Sequence, residues 1–229
     1  MSSTPGLLWA FSKPKSTFSE ADYNTWYTDH YIHHVVDASL CDLAVRYKNA
    51  NPDAKWPYLA IYRLPDVAKL QDQKVMGSIA TTHQLIPNGV AWTEAIEVDI
   101  RPFTLLQKFE GQIPKEGPRG KALRTVMIEP AEGGDAEFDE WYRKQHLDML
   151  SMVPGYRRST RYKLAPESAA LGYCRYLACH EYDTKDIPAD VVKLVTGTEW
   201  SKKILGSAKK FEGDLWEEIG CAGKTDEKL

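Results

Sequence analysis

The chain has 229 residues, of which 43% are hydrophobic and 27% charged, and its formal net charge is −3 at pH 7. This usage is typical of a water-soluble folded protein, and the weak negative charge argues against a nucleic-acid partner. No apolar run approaches the roughly 20 residues that cross a bilayer, and the N-terminus lacks the basic start of a signal peptide. We therefore predict a cytoplasmic protein without a membrane partner.

The first half of the chain predicts the element order β-α-β-β-α-β. Its first helix should begin near Ser19, because Ser19 and Asp22 resemble a capping box. This helix is predicted to place Trp26, Tyr27 and the histidines His30 and His34 along one side. The strands are predicted from apolar runs and alternating patterns, at residues 6–12, 40–48, 56–64 and 93–102, with helical pieces within 65–80.

The second half predicts the same order again. A segment rich in Pro, Gly and charge, residues 111–120, is typical of a linker. After it come a strand over 121–129, a helix from Asp135, two strands from 156 and 173, a helix from 188 and a final strand near Leu215.

An internal repeat supports this division. Trp26-Tyr27 recurs as Trp141-Tyr142 at an offset of 115, and Arg46 recurs as Arg161 at the same offset. Tyr58-Leu-Ala recurs as Tyr176-Leu-Ala at an offset of 118. We therefore predict two tandem ferredoxin-like βαββαβ repeats, 6–110 and 121–220. They should pack sheet to sheet as an α+β, intrachain pseudo-dimeric α/β barrel with a pocket.

One stretch of the second repeat resembles a known family. Residues 138–162, FDEWYRKQHLDMLSMVPGYRRSTRY, combine an aromatic residue, Trp-Tyr, a histidine and Pro-Gly-Tyr before a basic strand. This pattern resembles the EthD-like members of the dimeric α/β-barrel superfamily. In the first repeat Tyr31 stands where the motif has His146. The resemblance implies the barrel fold, and its relatives include cofactor-independent monooxygenases, polyketide cyclases, decarboxylases, isomerases and haem-binding enzymes.

His146 is the first candidate for chemistry, because a neutral imidazole can accept a proton from a bound molecule. Tyr142 lies one helical turn before it on the same face, and Tyr156 and Arg161 follow in the next strand, where they could stabilise a developing oxyanion. These four residues form the predicted catalytic set. The alternative is that His146 is a hydrogen-bonded core residue.

A second set of residues is predicted to contact the substrate. It consists of aromatic and histidine side chains from both repeats: Tyr27, His30, His34, Tyr176 and His180. The histidines lack carboxylate or cysteine partners at ligand spacing, and no nucleotide-binding motif occurs, so we predict no metal and no cofactor. A haem held by His180 is the alternative that the resemblance raises.

These observations favour a cofactor-independent lyase or cyclase. Dehydration, decarboxylation or aldol cyclisation of an aromatic or polyketide-like small molecule would each suit histidine acid/base catalysis. The alternatives are a cofactor-free or haem-dependent monooxygenase of the same fold, or a non-catalytic small-molecule carrier or stress-related protein. The chain is expected to be a monomer or a homodimer.

Overall fold

The structure is a computed structural model that describes residues 3–229, apart from the side chain of Ala169. The chain forms two compact units. The first extends to Leu105 and includes Glu218–Glu227 and Leu229, and the second consists of Leu106–Glu217 and Lys228. No helix in the described residues is long and apolar enough to span a bilayer. The predicted domain limits of 6–110 and 121–220 stay a prediction.

The first unit contains an antiparallel sheet in the order β2-β3-β1-β4. Its strands are β1 (Gly6–Pro14), β2 (Leu43–Asn49), β3 (Tyr58–Leu64) and the first part of β4 (Ile96–Phe109). Its α-helices are α1 (Glu20–Thr25), α2 (Ile32–Asp37), α3 (Gln73–Ser78) and α4 (Trp92–Ala95). Short 3₁₀ turns occur at Val67–Gln71 and Pro87–Gly89. Ser19 caps α1 as predicted, since its Oγ accepts a hydrogen bond from the Asp22 amide at 3.1 Å.

The second unit contains an antiparallel sheet in the order β6-β7-β5-β8. Its strands are β5 (Ala122–Glu129), β6 (Tyr156–Leu164), β7 (Tyr176–Tyr182) and the main part of β8 (Lys210–Gly223). Its α-helices are α5 (Asp135–Trp141), α6 (Leu147–Ser151), α7 (Ala189–Thr196) and α8 (Glu199–Ser207), with a 3₁₀ turn at Pro166–Leu171. Followed along their hydrogen bonds, the strands have the closed order β1-β3-β2-β8-β5-β7-β6-β4. The predicted α+β pseudo-dimeric barrel is confirmed.

The first helical segment of each unit contains a π-helical turn that we did not predict. These turns span Trp26–Tyr31 and Tyr142–His146. In the second turn the Leu147 amide donates to the Tyr142 carbonyl five residues earlier, instead of four. The wider turn changes which residues face the sheet. In the first unit His30 and His34 are exposed, and they line an open hollow together with Trp26.

The same aromatic and cationic contacts form the core of both units. The rings of Trp26 and Tyr27 lie 5.2 Å apart, and those of Trp141 and Tyr142 lie 4.7 Å apart. The Arg46 guanidinium lies 4.4 Å from the Tyr27 ring centre, as Arg161 lies 4.1 Å from that of Tyr142. Since these buried contacts occur in both units, they serve the packing of helix on sheet.

Candidate functional site

A cavity of about 340 Å³ lies in the second unit, between its sheet and its helices. Its walls come from β5, β7 and β8 and from the helices α5 to α8. Most lining side chains are apolar, which is typical of a small-molecule site. The lining residues with polar side chains are Arg124, Tyr142, His146, His180, Tyr182, Lys185 and Thr196, together with the Trp141 indole.

His146 lies in the wall of this cavity and is only 6% exposed. Its ring stacks on Trp141 at 4.1 Å and meets Tyr142 edge to face at 5.4 Å. Burial, with a smaller contribution from the Arg161 cation, lowers the pKa of His146 to about 3. Its Nδ1 has no hydrogen-bond partner among the described residues. His146 is therefore a neutral imidazole, and within residues 3–229 the structure gives its side chain no hydrogen bond.

His180 is the second histidine of the cavity, 6.5 Å from His146 between ring centres. Its Nδ1 lies 2.7 Å from the Ser159 hydroxyl, which lies 2.8 Å from the Tyr156 hydroxyl. The Tyr156 hydroxyl donates to the Phe109 carbonyl at 3.4 Å. Burial lowers the pKa of His180 to about 3, with smaller contributions from His146, Arg124 and Arg161.

All three contacts can be hydrogen bonds at once with only one set of proton positions. A backbone carbonyl can only accept, so the Tyr156 proton points to Phe109 and the Tyr156 oxygen accepts from Ser159. Ser159 has then used its one proton and must accept from Nδ1 of His180. His180 is therefore protonated on Nδ1, which leaves a lone pair on Nε2 as its acceptor.

Arg124 is the third polar group of the cavity, and the sequence analysis did not select it. It lies on β5 directly opposite His180 on β7 and is half-buried. Within residues 3–229 the structure gives the Arg124 side chain no hydrogen bond and no ion pair. A guanidinium beside two neutral histidines is thus without a counter-charge.

The four residues predicted as catalytic divide into two groups. Tyr142 and His146 line the cavity together. Tyr156 lies behind His180 in the hydrogen-bond chain. Arg161 is 2% exposed, pairs with Asp139 at 2.8 Å and accompanies Tyr142 as packing, without lining the cavity.

The residues predicted to contact the substrate do not form one site. His180 lines the cavity, whereas Tyr176 packs on Phe138 at 5.0 Å and is absent from the cavity wall. Tyr27 belongs to a separate, smaller cavity of about 90 Å³ in the first unit. His30 and His34 line an open hollow, where the His30 ring lies 4.6 Å from that of His83. No group of three metal-ligating side chains occurs in the described part of the chain.

Comparing the two sheets by register shows what distinguishes the second unit. In the first sheet, Tyr62 on β3 pairs with Leu8 on β1 and with Ala44 on β2. In the second sheet, His180 on β7 occupies the matching place and pairs with Arg124 on β5 and with Ser159 on β6. Tyr31 contacts Trp26 at 5.0 Å as His146 contacts Trp141. Leucine, alanine and two tyrosines in the first unit thus replace the polar groups of the second.

A haem does not fit these residues, although His180 could present Nε2 to an iron. The cavity volume of about 340 Å³ is near the lower end of the range for drug-sized ligands, roughly 300–1,000 Å³, and a haem is larger than such a ligand. The cavity volume instead suits a molecule smaller than a haem.

The chain matches no protein-family model. Its fold is similar to that of an anthrone oxidase-like protein, with a TM-score of 0.60 and 13% identity over 96% of this chain and 93% of the other. It is also similar to a candidate monooxygenase from Fusobacterium nucleatum subsp. nucleatum, with a TM-score of 0.59 and 11% identity over 100% of both chains. At these identities the likeness shows the fold alone, that of the dimeric α/β barrels.

A closer relationship appears in sequence. The chain is 35% identical over 200 residues to core atranone cluster (CAC) protein 1 of Stachybotrys chlorohalonatus, and the match covers 80% of this chain and 84% of that protein. The chain therefore belongs to the same family as core atranone cluster protein 1.

Proposed function

We propose that this chain is a cofactor-independent enzyme that removes a proton from an aromatic or polyketide-like small molecule, in a lyase or cyclase reaction. The observation that carries the proposal is His146, a neutral imidazole that lines an apolar cavity and meets the Tyr142 ring edge to face at 5.4 Å. Its Nδ1 is buried without a hydrogen-bond partner among the described residues, so we assign proton acceptance to Nε2.

The chemistry follows from the surroundings of His146. A neutral imidazole is in the correct state to accept a proton from a carbon next to a carbonyl. Burial disfavours the imidazolium that results, but an enolate formed at the same moment provides its counter-charge. Burial raises the pKa of Tyr142 to about 12, so its hydroxyl keeps its proton and can donate to the enolate oxygen. Arg161 would then act by positioning the Tyr142 ring.

Cofactor-free monooxygenation is the second candidate, and the comparisons favour it. An anthrone oxidase-like protein and a candidate monooxygenase share the fold, and anthrone is an aromatic ketone with acidic carbon-bound hydrogens. Oxygenation and cyclisation both begin with the loss of such a proton. The same two groups, His146 and Tyr142, would serve either reaction.

We also propose a family branch for the chain and a common origin for its two units. We assign the chain to the EthD-like branch and derive its units from one duplicated domain, supported by the matching contacts around Trp26 and Trp141. Superposition of the two units should bring Trp26 onto Trp141 and Arg46 onto Arg161. We expect a cytoplasmic protein that is a monomer or homodimer.

The test is deuterium exchange into anthrone and a panel of related aromatic ketones, followed by NMR in D₂O under argon. The wild type should accelerate exchange at the methylene of the central ring of anthrone, opposite the carbonyl, whose deprotonation gives an aromatic phenolate, and at the carbon next to the carbonyl in the other ketones. His146→Ala should lower that rate by about 100-fold, the lower limit for a positioned acid/base group. His33→Ala is the matched control, because His33 is exposed and outside the cavity.

The outcomes separate the candidates. Exchange under argon with a further product only in air indicates a monooxygenase, whereas a product under argon indicates a lyase or cyclase. Tight binding without exchange would support the carrier instead. Full exchange activity in a folded His146→Ala protein, with folding checked by circular dichroism, would remove His146 from the mechanism.

A further inference from the structure

The cavity contains a positive charge that the fold does not need. We infer that it binds its substrate as an anion, a hydroxylated aromatic carboxylate, with Arg124 as the counter-charge and His180 as the hydroxyl acceptor. This inference deepens the proposed function, because it names the substrate class of the same cavity. Its test is an equilibrium measurement that does not require turnover.

The charges around the cavity support an anionic ligand. The cavity-lining residues described by the structure include two cations, Arg124 and Lys185, and no Asp or Glu. Lys185 is exposed and pairs with Glu217 at 2.8 Å, so its charge is compensated. Arg124 has no such partner in the described residues, and its side chain is only partly open to water. An anion in the cavity would supply the missing pair.

The first unit shows that the sheet does not require an arginine at this place. Leu8 occupies the corresponding position, opposite Tyr62, as Arg124 stands opposite His180. Arg46 and Arg161, by contrast, make the same ring contact in both units. The packing arginine is therefore common to the two sheets, and the unpaired arginine occurs where the larger cavity is.

The spacing of the polar groups defines the ligand further. Directly opposed side chains in an antiparallel pair have their Cβ atoms about 4.5–5.5 Å apart, so Arg124 and His180 can contact neighbouring groups of one small molecule. A guanidinium binds a carboxylate through two parallel hydrogen bonds. Nε2 of His180 carries a lone pair and so selects a hydroxyl donor. An aromatic acid with its hydroxyl next to the carboxylate offers both groups, and the apolar walls accept its rings.

The probes are 3-hydroxy-2-naphthoate, 2-naphthoate and the neutral 2-naphthamide, titrated calorimetrically into the full-length protein at pH 7. The wild type should bind 2-naphthoate at least about ten-fold more tightly than 2-naphthamide, as expected for a charge-assisted pair. Arg124→Met should remove that preference while its binding of 2-naphthamide changes little. The wild type should bind 3-hydroxy-2-naphthoate more tightly than 2-naphthoate, and His180→Phe should bind the two equally.

Controls make the assignment specific to Arg124. Arg143→Met removes an exposed arginine outside the cavity and should keep the preference. Arg124→Gln is the second variant if Arg124→Met does not fold. The inference would be overturned if the wild type showed no preference for 2-naphthoate over 2-naphthamide. It would also be overturned if folded Arg124→Met or Arg124→Gln kept that preference, or if only Lys185→Met lost it. Failure of the proton-exchange test with the anion preference intact would instead reject the proposed reaction and keep the ligand class.

Discussion

Mild acid should destabilise this protein through the two cavity histidines. His146 and His180 are 6% and 2% exposed, and burial lowers the pKa of each to about 3. In the unfolded chain a histidine has its ordinary pKa of about 6.5. The unfolded state therefore binds protons first, so the stabilising effect is complete above about pH 6.5 and is lost as the pH falls toward about 3.

The size of the effect follows from the pKa difference. Between pH 7 and pH 5, proton binding to the unfolded chain should lower the free energy of unfolding by about 2 kcal/mol for each histidine, or about 4 kcal/mol for both. Typical domains have only about 5–15 kcal/mol of stability, so the loss is large. His146→Gln, which cannot titrate, should reduce the loss to about 2 kcal/mol.

The assay is urea unfolding at pH 7, 6 and 5, monitored by circular dichroism. It compares the wild type, His146→Gln and the exposed control His33→Gln, which should retain the full pH dependence. Burial raises the pKa of Glu181, which acts in the opposite direction but equally in all three proteins. An unchanged slope in His146→Gln would refute the claim that His146 is held neutral by the fold.

Three further predictions concern the second unit. Ser201→Ala should cost about 1–3 kcal/mol in urea unfolding, because the buried Trp141 Nε1 donates to the Ser201 hydroxyl at 3.1 Å. Gly120→Ala should lower the free energy of unfolding by about 1–3 kcal/mol or more, since its Cβ would lie 2.2 Å from a backbone carbonyl oxygen. The control Gly206→Ala lies in a helix, where the added Cβ meets nothing within 4 Å, and should leave stability unchanged or raise it. Ser159→Ala should remove the hydrogen-bond partner of His180 Nδ1, so that the His180 proton is no longer fixed on that nitrogen. The ¹⁵N chemical shifts of the His180 ring would report this change.

The fold could be predicted because its signals are local or repeated. Alternation indicates strands, capping residues indicate helix starts, and the offset of 115 pairs Trp26 with Trp141 before any contact is known. The π-helical turns could not be predicted in this way. A periodicity of 3.6 residues assigns faces by counting, and one wider turn moves every later residue to another face without changing the composition.

The site was only partly predictable for a related reason. His146 could be identified from the sequence because it lies within a motif. His180 could be identified because it is a single histidine in a buried strand. Arg124 lies in a short strand whose inward face is decided by its pairing with β7, which no local pattern reveals. Aligning the opening strands of the two units would have placed Arg124 against Leu8 and shown a charge where the other unit has none.

The contrast between the units is best explained by selection for the cavity rather than for stability. Tyr31 and Tyr62 help to line a cavity of only about 90 Å³, and Tyr62 donates a hydrogen bond to Tyr27 at 2.9 Å. The second unit instead holds two histidines that the interior keeps neutral, and it leaves about 340 Å³ open. Empty volume and unpaired polar atoms both lower stability. A chain that already contains the better-packed arrangement, and yet maintains the costlier one beside an unpaired guanidinium, has a use for what that cavity binds.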